Sequence, residues 1–137
     1  MIAVDASLVL KLFLNEPDST QIRLQWQQWG TSGELIVAPP LFRPEALSVL
    51  RRSVHRRILS EEEGNRAFEA MERLEIDFRE PPTLYHVAWK LAHQLNRPTI
   101  YDCCYVALGD ILGCDFWTAD RQLANAIGNS LPWVRSL

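Results

Sequence analysis

Hydrophobic positions along this chain fall into two alternating textures, short solid runs and longer stretches spaced for one face of a helix. "MIAV" is a short apolar run suited to a buried strand. "ASLVLKLFL" has helical spacing and stops at "NEP". Pro17 suits the first position of a second helix, which continues through "DSTQIRLQWQQW" and ends near Gly30. "ELIVA" is a second strand. "PPLFRPEALSVLRRSVHRRI" predicts a long helix; Pro44 is tolerable only in its first turn, so the start falls around residues 41 to 43. Ser60 and Glu63 form a capping box for a helix through Leu74, and "IDF" suits a short strand. Thr83 is placed to cap "LYHVAWKLAHQL", which Asn96 and Pro98 close. A further helix spans residues 100 to 112, "CDFWTA" is a strand, "DRQLANAI" a last helix ending at Gly128, and "WVRSL" a closing edge strand. Strands alternating with helices predict one α/β domain, a mostly parallel sheet wrapped on both faces. In open sheets of this kind, sites form at the carboxyl ends of the strands.

The whole length of 137 residues suits one compact domain. A net charge of −3 argues against a generally basic nucleic-acid binder and leaves local patches open. Asp5 interrupts the N-terminus before a signal-peptide core can form, and no run reaches the length of a membrane span. The expectation is a soluble cytoplasmic protein with no membrane partner. Cys103, Cys104 and Cys114 form no C-x-x-C pair, and His55, His86 and His93 lack zinc spacing. The cysteines therefore read as small buried hydrophobes and the histidines as surface or boundary residues.

"TIYDCCYVALG" breaks the apolar pattern by opening a buried-looking helix with a carboxylate, Asp102. One explanation is local: Thr99 and Asp102 are spaced as a capping box, and a carboxylate near a helix N-terminus meets the positive end of its dipole. The other needs partners. Asp5 follows the first strand, Glu45 lies in the first turn of the helix after the second, and Asp120 follows the strand "CDFWT". Asp5 and Asp120 also read as N-caps, worth about 1 kcal/mol each. Strand direction nevertheless puts Asp5, Glu45 and Asp120 at one edge of the sheet. Two such charges ~4 Å apart repel by roughly 4 kcal/mol at an effective dielectric near 20, more than capping offsets. A hard divalent cation, Mg²⁺ or Mn²⁺, would offset it, because carboxylate oxygens are its preferred ligands. Such a site suits phosphoryl chemistry. No Ser–His or Cys–His pair competes for the role, and no glycine-rich phosphate loop is present.

Taken in order, "MIAVDASLVLKLFLNEPDS", "PEALSVLRR", "TIYDCCYVALG" and "FWTADRQL" resemble the successive motifs of the PIN-domain ribonucleases, most nearly the VapC-type toxins of toxin–antitoxin pairs. The resemblance runs from residue 1 to the C-terminus, a single domain over 1–137. It implies an α/β/α fold and metal-dependent hydrolysis of RNA phosphodiester bonds by an activated water. It carries the family's acidic positions to Asp5, Glu45, Asp102 and Asp120. Asp5 and Asp102 are implied as the main Mg²⁺ (or Mn²⁺) ligands. Glu45 would complete the shell or orient the water, and Asp120 would hold a second ion or an outer water. Ser7 and Thr118 are implied as hydroxyls supporting these acids. Ser48 stands where many relatives carry asparagine, and Cys103 and Cys104 where small apolar residues are common.

The implied partners are an RNA substrate, a cognate antitoxin and a second copy of the chain, with Trp26 and Trp29 as a packing edge or dimer contact. Arg51, Arg52, Arg56 and Arg57 on "RRSVHRR" form either a face that meets RNA phosphates or antitoxin, or a solvated face balanced by Glu61, Glu62 and Glu63. Two other readings compete. One is a catalytically silent PIN-like module for RNA binding or assembly. The other is a phosphoaspartyl enzyme of the haloacid-dehalogenase type, which expects a second Asp where this chain has Ser7.

Overall fold

The structure is a computed structural model describing residues 1–137. Five strands form one parallel sheet in the order β3-β2-β1-β4-β5. They are β1 (Ile2–Val4), β2 (Ile36–Ala38), β3 (Ile76–Phe78), β4 (Asp115–Thr118) and β5 (Val134–Ser136). Register is set by Ile2 opposite Ile36 on one side of β1 and Ala3 opposite Phe116 on the other. β1 and β2 are buried along their length, which is why both read as solid apolar runs rather than alternating ones.

Seven helices connect the strands: α1 (Ala6–Leu10), α2 (Ser19–Thr31), α3 (Phe42–His55), α4 (Glu61–Glu72), α5 (Leu84–Gln94), α6 (Tyr101–Leu112) and α7 (Arg121–Ile127). Right-handed crossovers place α1 to α4 over one face of this strand order and α5 to α7 over the other. The packing follows that division: α1 lies on α3, α3 on α4, and α5 on α6. The chain leaves β1 toward β2 on one side and enters β4 on the other. The carboxyl ends of β1 and β4 therefore flank the switch point, where a crevice opens in sheets of this class. Beneath it, Val4, Leu8, Val37, Val106, Leu108 and Phe116 are fully buried. Gly109 lets α6 press onto β4, since a Cβ there would lie 3.1 Å from the Phe116 Cβ and from the Cys114 carbonyl oxygen.

Several boundaries differ from the sequence pattern, each for a local reason. The helical spacing of "ASLVLKLFL" yields only α1. Beyond it, Lys11, Leu12 and Phe13 donate to carbonyls three residues back, so the chain tightens into turns. Pro17 lies ahead of α2 rather than in it. Ser19 closes that turn, donating to the Leu14 carbonyl and accepting from the Glu16 N–H. The Ser60–Glu63 capping box is present as expected. Thr83 precedes α5 but makes no capping bond. No helix is long and apolar enough to cross a membrane.

Trp29 is buried in the core. Trp26 packs edge-on against it, 6.1 Å between ring centroids, and Trp117 of β4 meets its other side at 5.5 Å. The pair is thus a packing edge within one molecule; Trp29 is not the exposed residue its polar surroundings suggested, while Trp26 is half-buried at the rim.

Candidate active site

Asp5 sits where β1 ends and α1 begins, and almost no solvent reaches it (5% exposed). Its Oδ1 accepts from the Leu8 N–H at 2.9 Å and the Ser7 hydroxyl at 2.8 Å, and its Oδ2 from the Thr118 hydroxyl. It is an N-cap, as the local reading expected, and much more. Burial pushes its pKa from the ordinary 3.8 up to about 6, against the lowering pull of those three hydrogen bonds and with a smaller upward push from the Glu45 charge.

The expected supporting hydroxyls are in place. Thr118, at the end of β4, is fully buried and also accepts from the Asp120 N–H at 2.9 Å. Ser7 accepts from the Ala119 N–H at 3.2 Å. The two hydroxyls thus tie the ends of β1 and β4 together around one carboxylate.

Glu45 lies in the first turn of α3, half-buried. Its Oε2 accepts from the Tyr105 hydroxyl at 2.6 Å. Burial raises its pKa, the Tyr105 bond lowers it, and the nearby Asp102 charge raises it again. Asp5 therefore feels Glu45, and Glu45 feels Asp102. The three acids form one electrostatic group, built from β1, α3 and α6.

Asp102 does not join the capping box its spacing with Thr99 suggests. α6 begins without a side-chain cap, and the Asp102 Oδ2 instead receives the Arg97 guanidinium at 2.9 Å. Asp120 is held differently again. Its Oδ1 caps α7, accepting from the Gln122 and Leu123 N–H groups at 2.9 and 3.1 Å. It shares the sheet edge with the other acids through Thr118, but it is not among the charges that raise Asp5 or Glu45. Ser48, one turn beyond Glu45, is exposed and bonds to none of the acids.

Two residues that pattern reading passed over complete the group. Tyr105 looks like core in the sequence and is core, stacked on Phe116, yet its hydroxyl is spent on Glu45. Burial and the Glu45 carboxylate hold that phenol protonated. Arg97 lies in a loop between helices, where an isolated arginine carries no periodic signal. The i, i+3 spacing from Asp102 to Tyr105 was the only available hint for the tyrosine; for Arg97 there was none.

No group of three or more His, Cys, Asp or Glu side chains is preassembled around a metal position. The donor set still fits a hard cation. Asp5 and Glu45 have no basic partner, their burial disfavours the charges they carry, and every free donor is a carboxylate oxygen. Mg²⁺ keeps several waters and needs only one or two protein carboxylates, so a closed cage is not required. The thiols offer no competing chemistry: burial raises all three, Cys104 to about 11.

Further along α3, away from Glu45, α3 and α4 enclose a groove of about 530 Å³ lined by Leu47, Leu50, Val54, Gly64 and Phe68, with Arg51 and Glu61 also lining it. Arg51, Arg52, Arg56 and Arg57 are all exposed. None forms an ion pair with Glu61, Glu62 or Glu63; Glu62 pairs with Arg66 instead.

An α/β/α sheet with acids clustered at its carboxyl edge is the architecture of several phosphoryl-handling families, and comparison with known proteins distinguishes among them. Residues 2–128 match the PIN domain family. The chain belongs to that family, in its VapC-type branch. It is 32% identical to VapC ribonuclease Mb0985 of Mycobacterium bovis over 125 residues, covering 91% of this chain and 90% of that protein. It is 30% identical to ribonuclease VapC12 of Mycobacterium tuberculosis, covering 95% of each. A solved structure of Mycobacterium tuberculosis VapC20, described as a sarcin–ricin loop cleaving toxin, shares the fold with a TM-score of 0.67 at 14% identity, over 92% of this chain and 95% of that one.

Proposed function

We propose that the chain is a Mg²⁺- or Mn²⁺-dependent endoribonuclease, the toxin of a type II toxin–antitoxin pair. The observation that carries the metal reading is the Asp5–Glu45–Asp102 group. Glu45 lies within electrostatic reach of both Asp5 and Asp102, one arginine stands among the three, and the most buried, Asp5, has no cationic partner. The ribonuclease reading rests on VapC relatives that carry that name across nearly the whole chain.

Asp5 and Asp102 would hold the ion, with Glu45 beside it to orient the attacking water. A bound divalent cation supplies Lewis acidity at the phosphate and a lowered pKa for a nearby water. Glu45 is suited to take the proton from the attacking water, because burial raises its basicity and Tyr105 occupies only one of its oxygens. The water oxygen bonds to phosphorus as one P–O bond of the RNA backbone breaks, and the departing sugar oxygen takes up a proton from solvent. Ser7 and Thr118 hold Asp5 in one orientation throughout. Asp120 would hold an outer water or a second ion from its place at the head of α7.

The exposed, unpaired arginines at the end of α3 suit RNA phosphates, and the apolar α3–α4 groove beside them suits a segment of the antitoxin. The homodimer reading rests on family resemblance alone. Purified protein should cleave RNA with Mg²⁺ or Mn²⁺ and stop with EDTA. Undiminished cleavage in EDTA, with contaminating nucleases excluded, refutes the metal mechanism. Tight RNA binding without cleavage in either metal points to the silent module.

A further inference from the structure

Arg97 is fixed in place by its backbone. α5 ends in a Schellman motif: Asn96 turns into the left-handed region at φ 51°, its N–H donates to the His93 carbonyl at 3.2 Å, and the Arg97 N–H donates to the Ala92 carbonyl at 2.8 Å. Pro98 then biases Arg97 itself toward extended backbone. A helix terminator and a proline thus hold one arginine five residues before Asp102, and its guanidinium reaches the Oδ2 of that carboxylate at 2.9 Å. Both side chains are about one-quarter to one-third exposed, at 26% and 32%. No other basic side chain makes an ion pair with Asp5, Glu45, Asp102 or Asp120.

We infer that Arg97 is the built-in counter-ion of the acidic group, occupying one oxygen of Asp102 in the metal-free protein and setting how tightly a divalent cation can bind there. It supplies part of the positive charge that holds the carboxylates together before metal arrives. The same charge opposes the metal, because a cation entering at Asp102 meets a guanidinium already on that carboxylate. Arg97 is therefore a positioning residue with two opposed effects, stabilising the empty site and weakening the loaded one. The inference rests on the reading of these acids as a metal site.

Titration calorimetry with Mn²⁺ and metal-free melting curves test it, run on the parent, Arg97→Gln, Arg97→Lys and Asp102→Asn proteins. Arg97→Gln should melt lower than the parent without metal. It should also bind Mn²⁺ more tightly, on the order of tenfold, the scale set by one carboxylate shared between a unit and a divalent positive charge at a water-like dielectric. Arg97→Lys keeps the charge and should return both quantities toward the parent. Adding Arg97→Gln to Asp102→Asn should not lower the metal-free melting temperature further. Equal or weaker Mn²⁺ binding by a folded Arg97→Gln overturns the inference alone, as does Arg97→Lys behaving like Arg97→Gln. A parent that takes up no Mn²⁺ overturns the metal reading and this inference with it.

Discussion

Asp5 should make the metal-free protein lose stability as pH rises toward neutrality, opposite to the usual behaviour of native carboxylates. Its folded pKa of about 6 lies above its ordinary 3.8, so between those values the folded state binds more protons than the unfolded one. Stability then falls with rising pH through that window. A shift from 3.8 to about 6, at 1.36 kcal/mol per pH unit, corresponds to roughly 3 kcal/mol by pH 7. Glu45, raised as well, adds in the same direction. Urea unfolding in EDTA from pH 4 to pH 8, for the parent and Asp5→Asn, reads Asp5 together with its smaller coupling to Glu45, because groups that do not interact with Asp5 cancel in the difference. Asn cannot titrate, so Asp5→Asn should gain about 2–3 kcal/mol on the parent between pH 4 and pH 7. The gain should flatten above pH 7. With saturating Mn²⁺ the trend should reverse in the parent, since metal needs the deprotonated carboxylate and its binding stabilises the fold. A variant-minus-parent difference that is flat, or that falls over this range, would refute the account of Asp5 as a desolvated and unpaired acid.

Tyr105→Phe keeps the ring stacked on Phe116 but strips Glu45 of its hydrogen bond, which should cost about 1–3 kcal/mol in urea unfolding. The Tyr105 bond lowers the Glu45 pKa, so the acid limb of the pH–rate profile should also move to higher pH, and an unmoved limb counts against Glu45 as the base. Changing Arg51 and Arg52 to Gln should weaken RNA binding and flatten its salt dependence, by a slope of about 0.7 for each single-strand phosphate left without its arginine. An unchanged slope returns these arginines to a solvated face.

The parallel α/β class, most of the helices and the sheet edge that carries the acids were legible because each rests on periodicity or on short-range chemistry; the strand order β3-β2-β1-β4-β5 was not, since long-range pairing leaves no local pattern. "MIAV" and "ELIVA" are solid runs because parallel strands are buried on both faces, and Ser60–Glu63 is a self-contained cap. Asp5, Glu45 and Asp120 could be gathered from strand direction alone, and Asp102 through the family resemblance. Their individual environments could not. Thr99 and Asp102 have capping spacing, but Arg97 takes the carboxylate, and an ion pair across a loop leaves no periodic trace. Trp26 and Trp29 looked like an exposed pair because α2 is polar around them; Trp117, far along the chain, makes Trp29 core. Tyr105 gave the least warning, since a tyrosine in an apolar helix reads as packing whether or not its hydroxyl has a destination.

The Thr118 hydroxyl that grips Asp5 has a consequence for the chain as it is being made. β1 is the middle strand, and it cannot be flanked on both sides until β4, more than a hundred residues later, has left the ribosome. Asp5 emerges first and finds its orienting partner 113 positions later. Glu45, Tyr105 and Asp102 are spread between. No nascent fragment short of β4 contains the Thr118 hydroxyl that orients Asp5, so on the proposed reading the site is incomplete until β4 is made. On that reading, the orienting hydrogen bonds of Asp5 are complete only after β4 has paired with β1.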